Sequence, residues 1–443
     1  MAYQKSLKLT AFLMASTLSS MSYGAGFAII EQSVTGLGRA FSGSAAVADD
    51  ASTIFFNPAG LTQLKHMEVD MGMHVISPNS EFNDGGSTSA FNAPLTGGDG
   101  GNAGSLAPVP NLYIAIPIND KIVAGLGVSA PFGLVTEYND TWKGRYHAVK
   151  SDMLTINFNP SIAFKASEKL SLGFGVNLQY IDLELTQMAD LGAAGGAAAA
   201  IGAGATDPAV IGAAAALGSQ TSDGKVKLEA DDWSWGYNIG MMFQATDATR
   251  LGLAYRSKIS HTLKGDGELS HSGAVLAAEN IQGDVDLPEN VSFAVHHQIN
   301  NKLAVMADAT WTRWDRFEKL EINSSGGTFD TSKAENWDNS MRYGVGLTYD
   351  YDSKWIFRTG VAYDETPISD EYRTARIPGE DRKWLAVGAS YKYSDNMMID
   401  AGYTHIFLSD PKINEVDDNG YTLTGDYEAS VDILSVQMRW LFL

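Results

Sequence analysis

From Met67 to the end of the chain, apolar and polar residues alternate in fourteen successive stretches, and the connections between stretches switch strictly between very short and long. Alternation with period two places one class of side chain on each face of a strand. Together with the alternating connections it is the pattern of a transmembrane β-barrel, whose strands face lipid on one side and the lumen on the other. The first stretch shows the rule: Met67, Val69, Met71, Met73 and Val75 share one face, and Glu68, Asp70, Gly72 and His74 share the other. The pattern recurs at 107–118, 121–135, 152–166, 170–187, 227–245, 249–263, 284–299, 302–320, 337–349, 354–366, 381–393, 397–408 and 427–443. The expected fold is therefore all-β, a 14-stranded antiparallel transmembrane barrel over residues 63–443.

The connections are an independent check. Those after strands two, four, six, eight, ten and twelve are short and polar: Asn119-Asp120, Ser167-Glu168-Lys169, Thr246-Asp247-Ala248, Asn300-Asn301, Asp350-Tyr351-Asp352-Ser353 and Ser394-Asp395-Asn396. They read as periplasmic turns. The long ones, near 79–106, 136–150, 188–226, 264–283, 321–336, 367–380 and 409–426, read as extracellular loops. Trp233, Trp235, Tyr237, Trp311, Trp314, Trp337, Trp355, Trp384 and Trp440 stand near strand ends, where aromatic girdles sit at headgroup level. Parity turns Arg250, Arg256, Arg342, Arg358 and Arg439 into the lumen, which predicts ion pairs with inward carboxylates.

The N-terminus carries Lys5 and Lys8, an apolar run from Leu9 to Leu18, and small residues Ser22 and Gly24 at the positions of a cleavage site. This predicts a secretory signal over 1–24. No later run is long enough for a spanning helix, so an exported barrel implies the outer membrane of a Gram-negative cell. There a monomer would lie among lipid and lipopolysaccharide. With no Cys in 443 residues, disulfides and thiolate metal sites are excluded, and stability must come from a closed hydrogen-bonded sheet. A formal net charge of −21 argues against nucleic acid, whose recognition rests on basic patches.

Two segments lack strand periodicity. Residues 25–62, rich in Gly, Ala and Ser, are either a periplasmic tail or a plug inside a lumen wide enough to need one. The segment 188–220 is nearly all Gly and Ala with Leu191, Ile201, Val210, Ile211 and Leu217 spaced through it. Alanine favours helix and glycine opposes it, so one or two short helices with apolar faces are expected, suited to greasy ligands.

No chemistry-bearing motif is present: there is no GxSxG, HExxH, P-loop or EF-hand spacing, and His296 and His297 point to opposite faces of a strand. The chain is expected to be no enzyme and to need no cofactor or metal. The informative irregularity lies in strand three, where the alternation of Ile122, Ala124, Leu126 and Val128 is interrupted by Pro131-Phe132-Gly133. Proline donates no ladder hydrogen bond and glycine marks a bulge. The interruption either pulls the strand from a neighbour and opens the wall, or merely ends pairing at the strand's outer end. Asn57-Pro58-Ala59 is a turn by propensity.

The runs Ala25-Gly26-Phe27, Gly36-Leu37-Gly38-Arg39-Ala40-Phe41-Ser42-Gly43, Ala48-Asp49-Asp50-Ala51 and Asn57-Pro58-Ala59 resemble the N-terminus of the FadL long-chain fatty acid transporter family. The likeness continues through Asn111 to Asp120, Phe132-Gly133-Leu134, Tyr255-Arg256-Ser257, Leu287-Pro288-Glu289, Phe357-Arg358-Thr359-Gly360 and Ile377-Pro378 with Asp381-Arg382. The resemblance implies that residues 25–62 form a hatch in the lumen. It also implies capture of ligand between extracellular loops, binding inside the barrel, and lateral release through a gap beside strand three. Asn57, Pro58 and Ala59 would match the hatch motif near that kink, and Pro131, Phe132 and Gly133 the kink itself. Of a basic pair proposed in the family to face the fatty acid carboxylate, Lys333 matches one member and Gln187 replaces the other. The ligand implied is a long-chain fatty acid. Aromatic or aliphatic hydrocarbons are the alternative by the same route, with a general porin or a lipid hydrolase further off.

Overall fold

The computed structural model describes residues 26–443; the expected signal segment lies outside them. Fourteen antiparallel spans form one closed sheet. They are β1 (Met67–Asp84), β2 (Ala107–Asn119), β3 (Ile122–Ser129 and Gly133–Glu137), β4 (Lys150–Lys165), β5 (Leu170–Asp190), β6 (Asp223–Gln244) and β7 (Thr249–Arg256 and Ile259–His271). There follow β8 (Ala274–Leu287 and Asn290–Gln298), β9 (Leu303–Thr312 and Lys319–Ser324), β10 (Thr331–Ala334 and Ser340–Asp350), β11 (Trp355–Asp364), β12 (Arg382–Ser394), β13 (Met397–Leu408) and β14 (Thr422–Phe442). Closure is made by β1 and β14, paired from Met67↔Phe442 to Asp84↔Gly425. Closure removes the terminal edges of the sheet, as crossing hydrocarbon requires.

The short turns fall where the sequence puts them, and several share one device. Asn119 Oδ1 accepts from the amides of Lys121 and Ile122 at 2.9 and 3.0 Å, and Asn300 Oδ1 likewise from Lys302 and Leu303 at 2.9 and 3.1 Å. A short polar side chain thus replaces the missing ladder partner. Above these turns, large apolar side chains face outward: Leu172, Phe174, Val176 and Leu178 on β5, Ile239, Met241 and Phe243 on β6, and Leu434 and Val436 on β14. Their inward neighbours, among them Asn177, Asn238, Ser435 and Gln437, are buried and polar.

Higher up, the pattern inverts. On β7 the inward residues below are Ala254 and Arg256, but above the break at Ser257-Lys258 they become Ile259, His261 and Leu263, while Thr262 and Lys264 turn outward. An inserted residue moves every later side chain to the other face. Above the bilayer, water lies outside and the apolar face turns in. This corrects the expectation of a loop at 264–283, where β7 and β8 instead continue as a hairpin turning at Ser272-Gly273. The strand expected over 302–320 is also corrected. It breaks after Thr312, turns through a 3-10 helix at Trp314–Arg316 and resumes at Lys319. Between β8 and β9 the ladder lapses from Asn290↔Thr312 to Gly283↔Ile322. A concavity of about 1310 Å³ lies on the outer side of this lapse among Lys264, Asp266, Asp284, Arg316 and Lys319, with Phe317 between it and the lumen.

The Gly/Ala segment forms two helices, Leu191–Gly202 and Pro208–Gly218. Asp190 and Asp207 cap their N-termini, each accepting a backbone amide. The pair packs through glycine: a Cβ on Gly196 would meet the Ala214 carbonyl oxygen at 2.2 Å, and one on Gly192 that of Gly218 at 2.1 Å. Ile201, Val210 and Leu217 remain exposed. The expected girdle holds for Trp233, Trp235 and Trp355, which are outward, but Trp314, Trp337 and Trp384 are buried inside the barrel, at most 3% exposed.

Candidate functional site

Residues 26–64 fold inside the lumen as a plug of short helices, α1 (Val34–Leu37), α2 (Ser44–Val47) and α3 (Thr53–Phe56), followed by a 3-10 helix at Pro58–Gln63. Helices this short cannot stand alone. The wall holds them: Arg250 Nε donates to the Ala46 carbonyl at 2.6 Å, and Arg256 to that of Phe55 at 2.9 Å. The expectation of lumen ion pairs is thus met at Arg439 with Asp400 (2.7 Å) and Arg342 with Asp308 (3.4 Å), whereas Arg250 and Arg256 cap plug carbonyls instead. Wall glycines let the plug backbone approach closely at several points.

Asn57, Pro58 and Ala59 show this most clearly. Asn57 Oδ1 accepts from the Ala59 amide at 3.1 Å, and its Nδ2 donates to the carbonyls of Ala45 (2.6 Å) and Met241 (3.0 Å), so one side chain caps a helix, ties the plug to itself and ties it to β6. A Cβ on Gly240 would come within 1.9 Å of Asn57 Oδ1, and one on Gly173 within 2.2 Å of the Ala59 nitrogen. The motif therefore seats against β5 and β6. The strand-three kink is met by a different part of the plug.

At the kink the wall does open. The β2–β3 ladder ends at Leu112↔Val128. Beyond it the outer piece of β3 pairs with β4 alone, from Gly133↔Leu154 to Glu137↔Lys150, and outer β2 continues its ladder with β1 only. Pro108 and Pro110 stand on that outer stretch of β2, and proline within a sheet belongs at an edge. The Ala103 backbone bridges Ser80 and Glu137 above the opening, at 2.8 and 3.0 Å. On the lumen side the N-terminal segment adds itself as a strand: the Ile29 amide donates to the Pro131 carbonyl and the Gly133 amide to that of Phe27, both at 2.9 Å. The Gln32 side chain donates to the Ala130 carbonyl at 2.7 Å. Gly133 lets the plug lie close at this seam, since a Cβ there would sit 2.8 Å from the end of the Ile29 side chain, which would have to shift. Phe132 points inward against Phe27, ring centroids 6.1 Å apart.

Phe27 is the centre of an aromatic cage. Trp314, Phe317 and Trp337 surround it at 4.8, 5.5 and 5.5 Å. Gly26, with φ of +61°, lets the chain pass, because a Cβ would strike the Trp337 ring at 2.4 Å. The inward bulge of β9 delivers Trp314 and Phe317 to this cage.

Lys333 and Gln187 are brought together in a cavity of about 120 Å³ at the long-loop end, beyond the outward apolar band. Lys333 Nζ lies 3.0 Å from Glu415 Oε1. Gln187 Oε1 accepts from Arg376 at 2.7 Å, and that guanidinium also donates to Ser151 Oγ at 3.0 Å. Arg376, from the loop before β12, is thus a second cation, one that sequence reasoning misses. No local signal marks it, because its partners lie on β4 and β5. Burial lowers the Arg376 pKa to about 10, where the nearby Glu415 and Glu335 help keep it charged. Burial and the charge of Glu415 raise Glu335 to about 8 against the pull of its Trp337 hydrogen bond and of Lys333. For Glu415 burial opposes ionisation, but His147, Lys333 and the Ala375 amide outweigh it and hold the carboxyl near 2. Asp417, Asp418 and His147 line the same cavity, so the two basic side chains Lys333 and Arg376 stand among four carboxyl groups. The floor of the cavity is Leu185, Leu228, Leu320 and Ile322, which continue into an apolar neck with Leu263, Ile281 and Val285. A polar mouth holding two basic side chains over a greasy throat has the shape to take an amphiphile with its tail toward the plug.

A model of the family described as outer membrane protein transport protein (OMPP1/FadL/TodX) matches residues 15–442. The chain is 32% identical to outer membrane protein P1 of Haemophilus influenzae, over 91% of this chain and 90% of that one. It is 30% identical to the long-chain fatty acid transport protein of Escherichia coli K12, over 90% and 91%. Among solved structures, a Pseudomonas aeruginosa FadL homologue superposes with a TM-score of 0.86 at 28% identity, covering 94% of this chain and all of that one. The Ralstonia pickettii toluene transporter TbuX shares the fold, with a TM-score of 0.67 at 20% identity over 94% and 100% of the two chains.

Proposed function

Because the chain belongs to the outer membrane protein transport protein family of FadL and TodX, we propose that it carries long-chain fatty acids passively across the outer membrane, from loop to lumen to a sideways exit between β2 and β3. A water-filled pore offers no favourable path to a molecule whose every CH₂ gains about 0.8 kcal/mol on leaving water. An apolar throat and an exit into hydrocarbon do. The observation that carries the reading is the coincidence at Pro131–Gly133, where the β2–β3 ladder has stopped and plug backbone is hydrogen-bonded to β3. Transport then amounts to ligand shifting the equilibrium of a displaceable strand, with no coupled energy source. The cavities of about 20 to 120 Å³ along the lumen weigh against a diffusion porin.

Gly133→Arg tests it. The side chain must enter the space of Ile29, 2.8 Å from the built Cβ, and occupy the exit. Uptake of hexadecanoic acid into vesicle lipid by the refolded variant is expected to stop while its binding persists, and unchanged uptake would refute the sideways route.

A second reading, uptake of hydrocarbons, is favoured by one observation. Phe132, Trp314, Phe317 and Trp337 present aromatic rings to whatever displaces Phe27. Comparing toluene with hexadecanoic acid as competitor separates the two.

A further inference from the structure

Deeper than the mouth at Lys333, where the plug meets the kink, lies a cavity of about 100 Å³ bordered by Ile29, Pro131 and Phe132 and by the polar side chains of Glu31, Trp314, Trp384 and Arg342. Arg256 and Asp364 border it too, but Arg256 is engaged with Asn177 and the Phe55 carbonyl, and Asp364 faces Arg382. These four are 4%, 1%, 3% and 5% exposed. Among the described residues, Glu31 Oε2, Trp314 Nε1, Trp384 Nε1 and Arg342 Nε have no hydrogen-bond partner. Folded interiors match nearly all such atoms, and four unmatched ones around one small space mark a place made for a guest. The remaining nitrogens of Arg342 are engaged with the Ala40 carbonyl and Asp308, so its free Nε is what it offers.

Three donors and one acceptor complement a carboxylic acid, whose carbonyl oxygen accepts from an indole or guanidinium N–H and whose hydroxyl donates to Glu31. Two carboxylates would instead set acceptor oxygen against acceptor oxygen, so the guest and Glu31 must hold at least one proton between them. We propose that this cavity is a transit site for the neutral carboxyl head of a long-chain fatty acid, which sits as the ion at Lys333 and Arg376 and reaches the wall opening as the acid. The change is the addition of one aqueous proton to a carboxylate oxygen, forming the O–H bond. Burial favours the neutral form, and only that form passes into hydrocarbon without the cost of desolvating a charge. The inference rests on the transport reading above and adds where, and in which ionic form, the head group pauses.

The test uses the full barrel in lipid vesicles, with Trp314 and Trp384 each replaced by 3-benzothienylalanine, which keeps the ring shape and removes the N–H. Transfer of hexadecanoic acid into the bilayer is expected to slow about fivefold for each N–H lost, with transfer of hexadecane unchanged. Acid transfer that is unchanged, or acid and hydrocarbon slowed alike, would overturn the proposal and leave a water-filled niche. If the unaltered protein transfers no acid at all, the transport reading itself fails, a distinct result. A crystal of the unaltered protein soaked with 2-bromohexadecanoic acid gives a second readout. Anomalous density between Trp314 and Trp384 is expected, and density beside Lys333 and Arg376 alone would count against it.

Discussion

Replacing Arg376 should matter more than replacing Lys333, although only Lys333 stands out in the sequence. Lys333 is about a third exposed and already committed to Glu415 at 3.0 Å. Arg376 is sealed, and its one side-chain acceptor partner besides Ser151 is the neutral Gln187. A ligand carboxylate at about 4 Å feels roughly 4 kcal/mol of attraction from such a cation at an effective dielectric of about 20, part of which is lost in desolvating the two. Measured hydrogen bonds to charged groups net about 1.5–3 kcal/mol, or roughly 10- to 150-fold in affinity. Arg376→Gln is therefore expected to weaken hexadecanoic acid by that factor and Lys333→Ala by less than about tenfold, while the uncharged methyl ester of the same chain length is held as before. Equilibrium dialysis of the refolded barrel against labelled acid and ester measures all three. Arg376→Lys should recover most of the loss, which separates charge from packing. Equal losses for acid and ester, or a larger loss at Lys333, would remove the head group from Arg376.

Two further outcomes follow from the same end of the barrel. Glu335 has a folded pKa near 8 against an ordinary 4.5. Its stabilising contribution is complete below about pH 4.5 and disappears as pH rises through 8. Because its ionisation also adds a negative charge beside Lys333 and Arg376, affinity for the acid is expected to fall roughly tenfold between pH 7 and 9, and Glu335→Gln should flatten that profile; a profile unaffected by the substitution would refute the assignment. Deleting the helical hairpin 191–218 should leave the barrel intact. Its base is pinned outside the deleted residues, where Asp190 Oδ2 accepts from Ser219 Oγ and the Gln220 amide, both at 2.8 Å. Heat-dependent gel mobility is expected to be unchanged while the initial rate of ligand capture drops. Loss of folding would show that the hairpin is structural.

The lower barrel is legible in the sequence because lipid outside and polar lumen inside write a strict alternation, as on β1 and β5. Its upper third is not, because the physics there is reversed. Leu263, Ile281 and Val285 face inward and charged neighbours face water, so 264–283 reads as a polar loop. Aromatic residues mislead for a related reason, since Trp314 near a strand end resembles a girdle residue until the bulge of β9 turns it inside. The kink at Pro131 is visible because proline forbids a ladder bond, and Pro108 and Pro110 on β2 carry the same message for the opposite edge. Nothing local could show that Phe27–Ile29 would complete that edge, or that Arg376 would stand beside Gln187. Both depend on contacts more than a hundred residues apart.

How firmly the seam is shut depends on the balance between Phe27 and two backbone hydrogen bonds. The bonds from Ile29 to Pro131 and from Gly133 to Phe27 contribute on the order of 1 kcal/mol each. Truncating a buried phenylalanine to alanine costs about 3–5 kcal/mol, and Phe27 is 3% exposed within its cage. The anchor therefore holds more strongly than the seam it closes. A ligand tail that takes the place of the Phe27 ring removes the stronger hold first, and the added strand loses its grip on β3 as a consequence. Phe27→Ala should mimic that state without ligand. The expected result is faster basal transfer of hexadecanoic acid into vesicle lipid and faster hydrogen exchange at the Ile29 and Gly133 amides, with the β1–β14 closure as protected as before. If those two amides stay protected in the variant, the aromatic cage does not hold the gate, and the force that keeps the strand in place must come from Gln32 and the arginines that grip the plug.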